Sequence, residues 1–304
     1  MAPIAFDAAS ESGRTRPRGP KAHRKASSPH SALTQKRCGA ARLGGASDAA
    51  VDKTTHDLLA VPGKSDPSRV VDAFVTYLDD ALADYLFLRS IPQEFWRVIA
   101  VDALLRAAVG FEAFRSDWHI AAIQRDASRY KPLEEVWARY RVAAAANPNP
   151  IQRAKAVAFV DSLARNPDMD LVRALADPHG RNLDLSSFDS WRRRARADLA
   201  PRFSQRVESL PPEDIGIMEA VVAMRNCIAH RSRSSTDKMN HALKALPGGL
   251  ARGNQRITFR SLGRYLCGSS GADNVTRCEL FYRGLRRIAA ALHVKRHQQS
   301  PTGA

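Results

Sequence analysis

Several things are missing from this sequence, and each absence excludes something. Its 304 residues hold no uninterrupted apolar stretch near the roughly 18 that a membrane-crossing helix needs, so no transmembrane segment is expected. Cysteine is scarce: Cys38, Cys227, Cys267 and Cys278 lie far apart, with no short Cys-x-x-Cys or Cys-x-x-His spacing for zinc, and read as ordinary reduced thiols. His119, His179, His241, His293 and His297 have no metal-centre spacing either, so neither a metal nor another cofactor is expected. Alternating apolar and polar runs are absent; Ile257-Thr258-Phe259 is the best strand candidate, and three residues define little. Acidic residues are in deficit, 31 against 47 Lys and Arg, for a formal charge of +16. That excess suits a polyanionic partner such as nucleic acid, although an Ala- and Arg-rich composition yields basic proteins without that role.

What is present is an apolar fraction of 44%, enough for a sizeable core. It is unevenly spread. Residues 1–67 are Gly, Pro, Ser, Ala, Lys and Arg with few large apolar side chains, so a disordered basic N-terminal arm is expected. Residues 13–46 share the Arg- and Ser-rich, acid-poor composition of organelle transit peptides, but show no amphipathic period, which favours a tail and a cytoplasmic protein. A helical domain is expected over 68–297, and a short disordered tail over 298–304.

Within that domain, Val71, Phe74, Val75, Leu78, Leu82, Tyr85 and Leu86 recur at three- and four-residue steps, an amphipathic helix ended by Pro92. A longer helix from Glu94 to about Ser128 should form the spine of the core, with Gly110 as a weak point. Further helices are expected over 133–146, 151–165, 168–177, 187–209, 213–230, 236–246 and 275–294, parted by Pro, Gly and Asn signals. The fold class is therefore all-α, an up-and-down helical bundle with additional helices.

The segment Arg225-Asn226-Cys227-Ile228-Ala229-His230 draws attention because of where its side chains fall. On an ideal helix Ile217, Val221, Met224 and Ile228 occupy one stripe, the face expected to enter the core. Asn226 and His230, at i and i+4, lie nearly opposite with Glu219 and the small Ala223. Arg225 sits at the edge of the core stripe, where its long stem can swing the guanidinium towards the same rim. An imidazole exchanges protons near neutral pH, a guanidinium holds phosphate, and an amide orients either. With RNA the attacking group is the neighbouring 2′-hydroxyl, so such a trio needs no metal.

The Arg225-Asn226-x-x-x-His230 pattern, followed by Arg231 and a Ser/Thr-rich turn into another helix, resembles the Arg-x(4–6)-His motif of the HEPN superfamily, and within it the RiboL-PSP-type proteins. The polar residue after Arg and the small Ala229 before His agree with that motif. Phe111-Glu112-Ala113-Phe114-Arg115-Ser116-Asp117-Trp118 is similar to the early helix of such domains. The resemblance implies a helical bundle that pairs as a homodimer and cuts single-stranded RNA, leaving a 2′,3′-cyclic phosphate and a 5′-hydroxyl. It implies His230 as the proton-transfer group, Arg225 as the phosphate-holding group and Asn226 as the positioning group. It further implies a toxin or phage-defence setting, with an antitoxin or nucleotidyltransferase as a possible partner. The superfamily also includes members that only bind RNA or proteins.

Other readings of the same residues stand beside these. His230 at a helix C-terminus is favoured by the macrodipole whatever its role, and Arg225 could simply bridge to an acidic neighbour. Glu112 in the long helix either orients Arg225 from a neighbouring helix or is a plain surface carboxylate. Arg231 and Arg233 either widen an electropositive RNA-binding cleft or face solvent. Arg192, Arg193, Arg194 and Arg196 beside Trp191 combine charge with an aromatic, a pattern shared by strand-binding surfaces and solvated helix faces. Cys227 reads as a small buried thiol.

Overall fold

The computed structural model describes residues 66–294, apart from 91, 93–94, 147–148, 166, 181 and 270–273. Residues 1–65 of the expected arm and the expected tail lie outside the described residues. Among the described residues the chain is all-α, with eleven α-helices, one 3₁₀ turn at Gly248–Leu250 and no strand. No helix among them is long and apolar enough to cross a membrane.

The first helix, α1 (Pro67–Leu88), begins as its sequence requires: Asp66 accepts the Ser68 N–H at 3.0 Å, and Pro67 fills a position whose N–H would go unused. Its apolar stripe puts Val71, Phe74, Leu78 and Tyr85 in the core. Helix α2 (Trp96–Arg125) returns antiparallel to it and is the spine of the bundle, buried on nearly every side from Ala107 to Ile123. Phe74 stacks on Phe114 with ring centroids 4.3 Å apart. Gly110 does not weaken this helix. It makes room for Tyr77, since a Cβ there would stand 2.5 Å from that ring.

Helices α3 (Lys131–Ala146) and α4 (Pro150–Arg165) form a hairpin, and α5 (Met169–Ala176) packs back on α2. The single helix expected over 187–209 is two, α6 (Phe188–Asp198) and α7 (Pro201–Glu208). Pro201 explains the break: it offers no N–H and pushes Ala200 to an extended ψ of 150°. Helices α8 (Pro212–His230) and α9 (Arg233–Ala245) follow, then α10 (Phe259–Cys267) and α11 (Arg277–Ala291). Helix α11 lies against α1, α2 and α8 and closes the bundle.

The strand candidate at residues 257–259 is not a strand. Thr258 is the N-cap of α10, in a capping box with Ser261, and Phe259 is its first residue. Ile257 lies outside any regular element, and its backbone is paired with a side chain: Asn240 accepts its N–H at 2.8 Å and donates to its carbonyl at 2.6 Å. Helix α10 itself was not anticipated. It fits tightly on α2, because Gly263 lies where a Cβ would meet the Arg97 carbonyl oxygen.

At the far end of α2, Trp118 is fully buried and meets the edges of Trp191 and Phe203 at 6.2 and 6.4 Å. Beside it His119 is sealed from solvent, with Nε2 3.2 Å from Asp198 Oδ2. Burial lowers the His119 pKa below its ordinary value, and the Asp198 contact only partly opposes this. The unfolded chain therefore takes up a proton, near pH 6.5, that the folded chain resists. Stability should be full above that pH and fall as the pH drops through it towards the lower folded value. Urea midpoints measured at pH 8 and pH 5.5 check this: the wild type should lose stability, and His119→Gln should lose less over the same interval.

Candidate functional site

Helix α8 begins at Pro211-Pro212, with Glu213 and Asp214 in its first turn, where acidic groups complement the dipole. Its core stripe is as the spacing requires: Ile217, Val221 and Met224 are buried, and Ile228 is half-buried against the core. It ends abruptly. Arg231 adopts a left-handed conformation, φ 50°, and its N–H returns to the Cys227 carbonyl at 3.0 Å. A left-handed residue is usually Gly or Asn; here the Arg231 guanidinium lies 4.4 Å over the Phe259 ring, a contact that offsets some of that cost.

One residue later Ser232 caps α9 in a box with Ser235. A two-residue connection of this kind folds α9 back antiparallel along α8, and at the far end Gly216 rests against Leu246. Cys227, buried as expected, faces Thr236 across the pair at 3.7 Å.

Between the two helices runs an open groove of about 1020 Å³. Its α8 wall carries Glu219, Ala223, Asn226 and His230, the stripe opposite the core. Its α9 wall carries Ser234, Lys238 and His241, and Ala223 and Ala242 leave its floor shallow and apolar. His230 is exposed and Asn226 half-buried, so the imidazole is open to solvent and not packed among aliphatic side chains.

Arg225 is placed differently. Its Nη1 donates to Asn226 Oδ1 at 3.1 Å and its Nη2 lies 3.6 Å from Glu112 Oε2 on α2. It adjoins the groove through Asn226 but is not among the residues that line it. Arg231 and Arg233 do not line it either: Arg231 covers Phe259, and Arg233 is 91% exposed, 3.9 Å from Asp237.

Behind the α8 wall is a buried polar layer that the sequence did not disclose. Arg115 is 2% exposed, donates to the Leu185 carbonyl at 2.6 Å, and packs over Phe111 and Trp191. Desolvation lowers its pKa to about 10, with Glu112 and Glu219 acting in the opposite direction. Glu219 also accepts the Phe188 N–H at 2.6 Å, at the N-terminus of α6. The two carboxylates thus join Arg115 and Arg225 electrostatically and fix α8 to α2 and α6.

Comparison with protein-family models, curated proteins and solved structures returned no match.

Among the described residues no group of three or more His, Cys, Asp or Glu is placed to hold a metal ion. The Arg-rich face of α6 offers no aromatic platform, because Trp191 is fully buried. Arg192, Arg194 and Arg196 are engaged with Asp189, Asp198 and Glu208. The α9 wall was not anticipated. Its signal was Ser234, Lys238, His241 and Ala245 at three- and four-residue steps on the helix after the motif, a polar face turned towards Asn226 and His230.

Proposed function

We propose that the chain is a metal-independent endoribonuclease that cuts single-stranded RNA by 2′-hydroxyl attack at the α8–α9 groove. The observation that carries this is the shared groove wall of His230 and Asn226, with the imidazole open to solvent. In the reaction the 2′-hydroxyl proton passes to His230, the O2′–P bond forms as the P–O5′ bond breaks, and the departing 5′-oxygen takes a proton from solvent water, to which His230 returns its own. A 2′,3′-cyclic phosphate and a 5′-hydroxyl result.

Asn226 positions the phosphate. Its Oδ1 is occupied by Arg225, which leaves the NH₂ end to donate to a phosphate oxygen. Arg225 acts as a positioning residue, held in turn by Glu112. Homodimer formation, a toxin or defence role, and an antitoxin or nucleotidyltransferase partner belong to the same proposal, and rest on the resemblance of the Arg225-to-His230 segment to HEPN motifs.

A second reading is a non-catalytic module that binds RNA or a protein through the same groove. The tie of Arg225 to Glu112, away from the groove, favours it. One experiment separates the two. End-labelled single-stranded RNA is incubated with the protein in EDTA, and cut fragments are expected. A strand left whole by stoichiometric protein, yet shifted in a gel with a steep salt dependence, would sink the catalytic reading and leave the binding module.

A further inference from the structure

The groove presents a phosphate with an imidazole and an amide on one side, but the motif's own guanidinium is turned out of it. The charge of a bound phosphodiester needs a cation from elsewhere. We infer that Lys238, on the α9 wall facing the motif, is that cation: a phosphate-holding residue of the site, with His241 beside it.

Three observations support the assignment. First, Lys238 lines the same groove as Asn226 and His230, within one chain. Second, Lys238 has no acidic partner among the described residues, whereas the groove's acidic groups are already engaged. Asp237 is held by Arg256 at 2.6 Å, with Arg233 at 3.9 Å, and Glu219 accepts the Phe188 N–H. Third, the register of the hairpin brings it near. With His230 level with Arg233, Lys238 stands five residues along α9, about 7.5 Å by helical rise.

Side chains lean towards the N-terminus of their own helix. In an antiparallel pair, His230 therefore leans along α8 towards the Lys238 level, and Lys238 leans along α9 towards His230. The long lysine stem covers the remaining distance. His241, at i+3 from Lys238, lies on the same face one turn further on and extends the basic wall towards the next nucleotide.

This assignment rests on the reading of the groove as an RNA-cleaving site, so the test keeps the two apart. Wild type, Lys238→Ala and Lys238→Arg are compared for cleavage of a single-stranded oligoribonucleotide in EDTA across a salt series, and for binding of a nucleoside 3′-monophosphate by calorimetry. Lys238→Ala is expected to lower kcat/KM by about 10²-fold. It should also reduce the salt slope by about one and weaken monophosphate binding, while thermal stability stays put. Lys238→Arg should restore most of the loss.

Cleavage and binding by Lys238→Ala within twofold of wild type would overturn the assignment and leave the nuclease reading standing. A wild type that binds the monophosphate through Lys238 but cuts nothing would retain the phosphate site and remove the nuclease. A wild type that neither binds nor cuts would remove both.

Discussion

His230→Ala is expected to abolish RNA cleavage while leaving the protein folded. Loss of a positioned proton-transfer group costs about 10²–10⁴ in rate, so the variant should fall to background in EDTA. The fold should be indifferent for a structural reason. His230 is exposed at the last position of α8, and the turn behind it is closed by Arg231 over Phe259 and by the Ser232–Ser235 box, neither of which uses the imidazole. A matched urea midpoint and a lost activity would together separate chemistry from stability. Activity kept by the folded variant would remove His230 from the mechanism.

The second large effect concerns the scaffold. Trp118→Ala should destabilise the protein by about 3–5 kcal/mol, the usual cost of removing a fully buried large aromatic. The indole is packed edge-on against Trp191 and Phe203, which belong to α6 and α7, so the cavity would open where three helices meet. In a domain of this size the melting temperature should drop on the order of 10 °C. A fall of only a degree or two in a thermal scan would mean that the junction collapses to fill the space, contrary to the packing described. Since Glu219 bridges α8 to α6 through the Phe188 N–H, loosening this junction should also blunt the groove.

How much of this could be read in advance differs from residue to residue. Helices α1 and α8 were legible because their apolar stripes follow the 3.6-residue period closely, and Asp66-Pro67 and Pro211-Pro212 mark their starts. The α6–α7 break was missed because charged residues resume at Arg202 only four positions after Asp198, so the two helices read as one and only Pro201 signals the change. Helix α10 was missed for a subtler reason. Ile257 and Thr258 have strand-like side chains, and Ile257 is indeed bonded like a strand residue, but its partner is the Asn240 amide 17 positions earlier. No local pattern encodes such a pairing.

The same division runs through the site. That Asn226 and His230 share a polar stripe with Glu219 and Ala223 follows from helix geometry alone, and the groove is lined by that stripe. What faces it depends on the hairpin, hence on a left-handed Arg231, a conformation that side-chain chemistry does not advertise. The destination of Arg225 was only half legible, since Glu112 read either as its partner from a neighbouring helix or as a surface carboxylate. A long side chain at the edge of a core stripe can swing to either rim, and here Glu112, one turn before the buried Arg115 on α2, claims it.

The most direct test of the central claim is a pair of oligonucleotides of one sequence, one all-ribose and one with every 2′-hydroxyl methylated, each incubated with the protein in EDTA. The all-ribose strand should be cut to fragments ending in a 2′,3′-cyclic phosphate and a 5′-hydroxyl, and the methylated strand should survive whole. Cleavage of the methylated strand, or fragments bearing a 5′-phosphate, would show that the attacking oxygen is not the neighbouring 2′-hydroxyl and would contradict the chemistry assigned to His230 and Asn226.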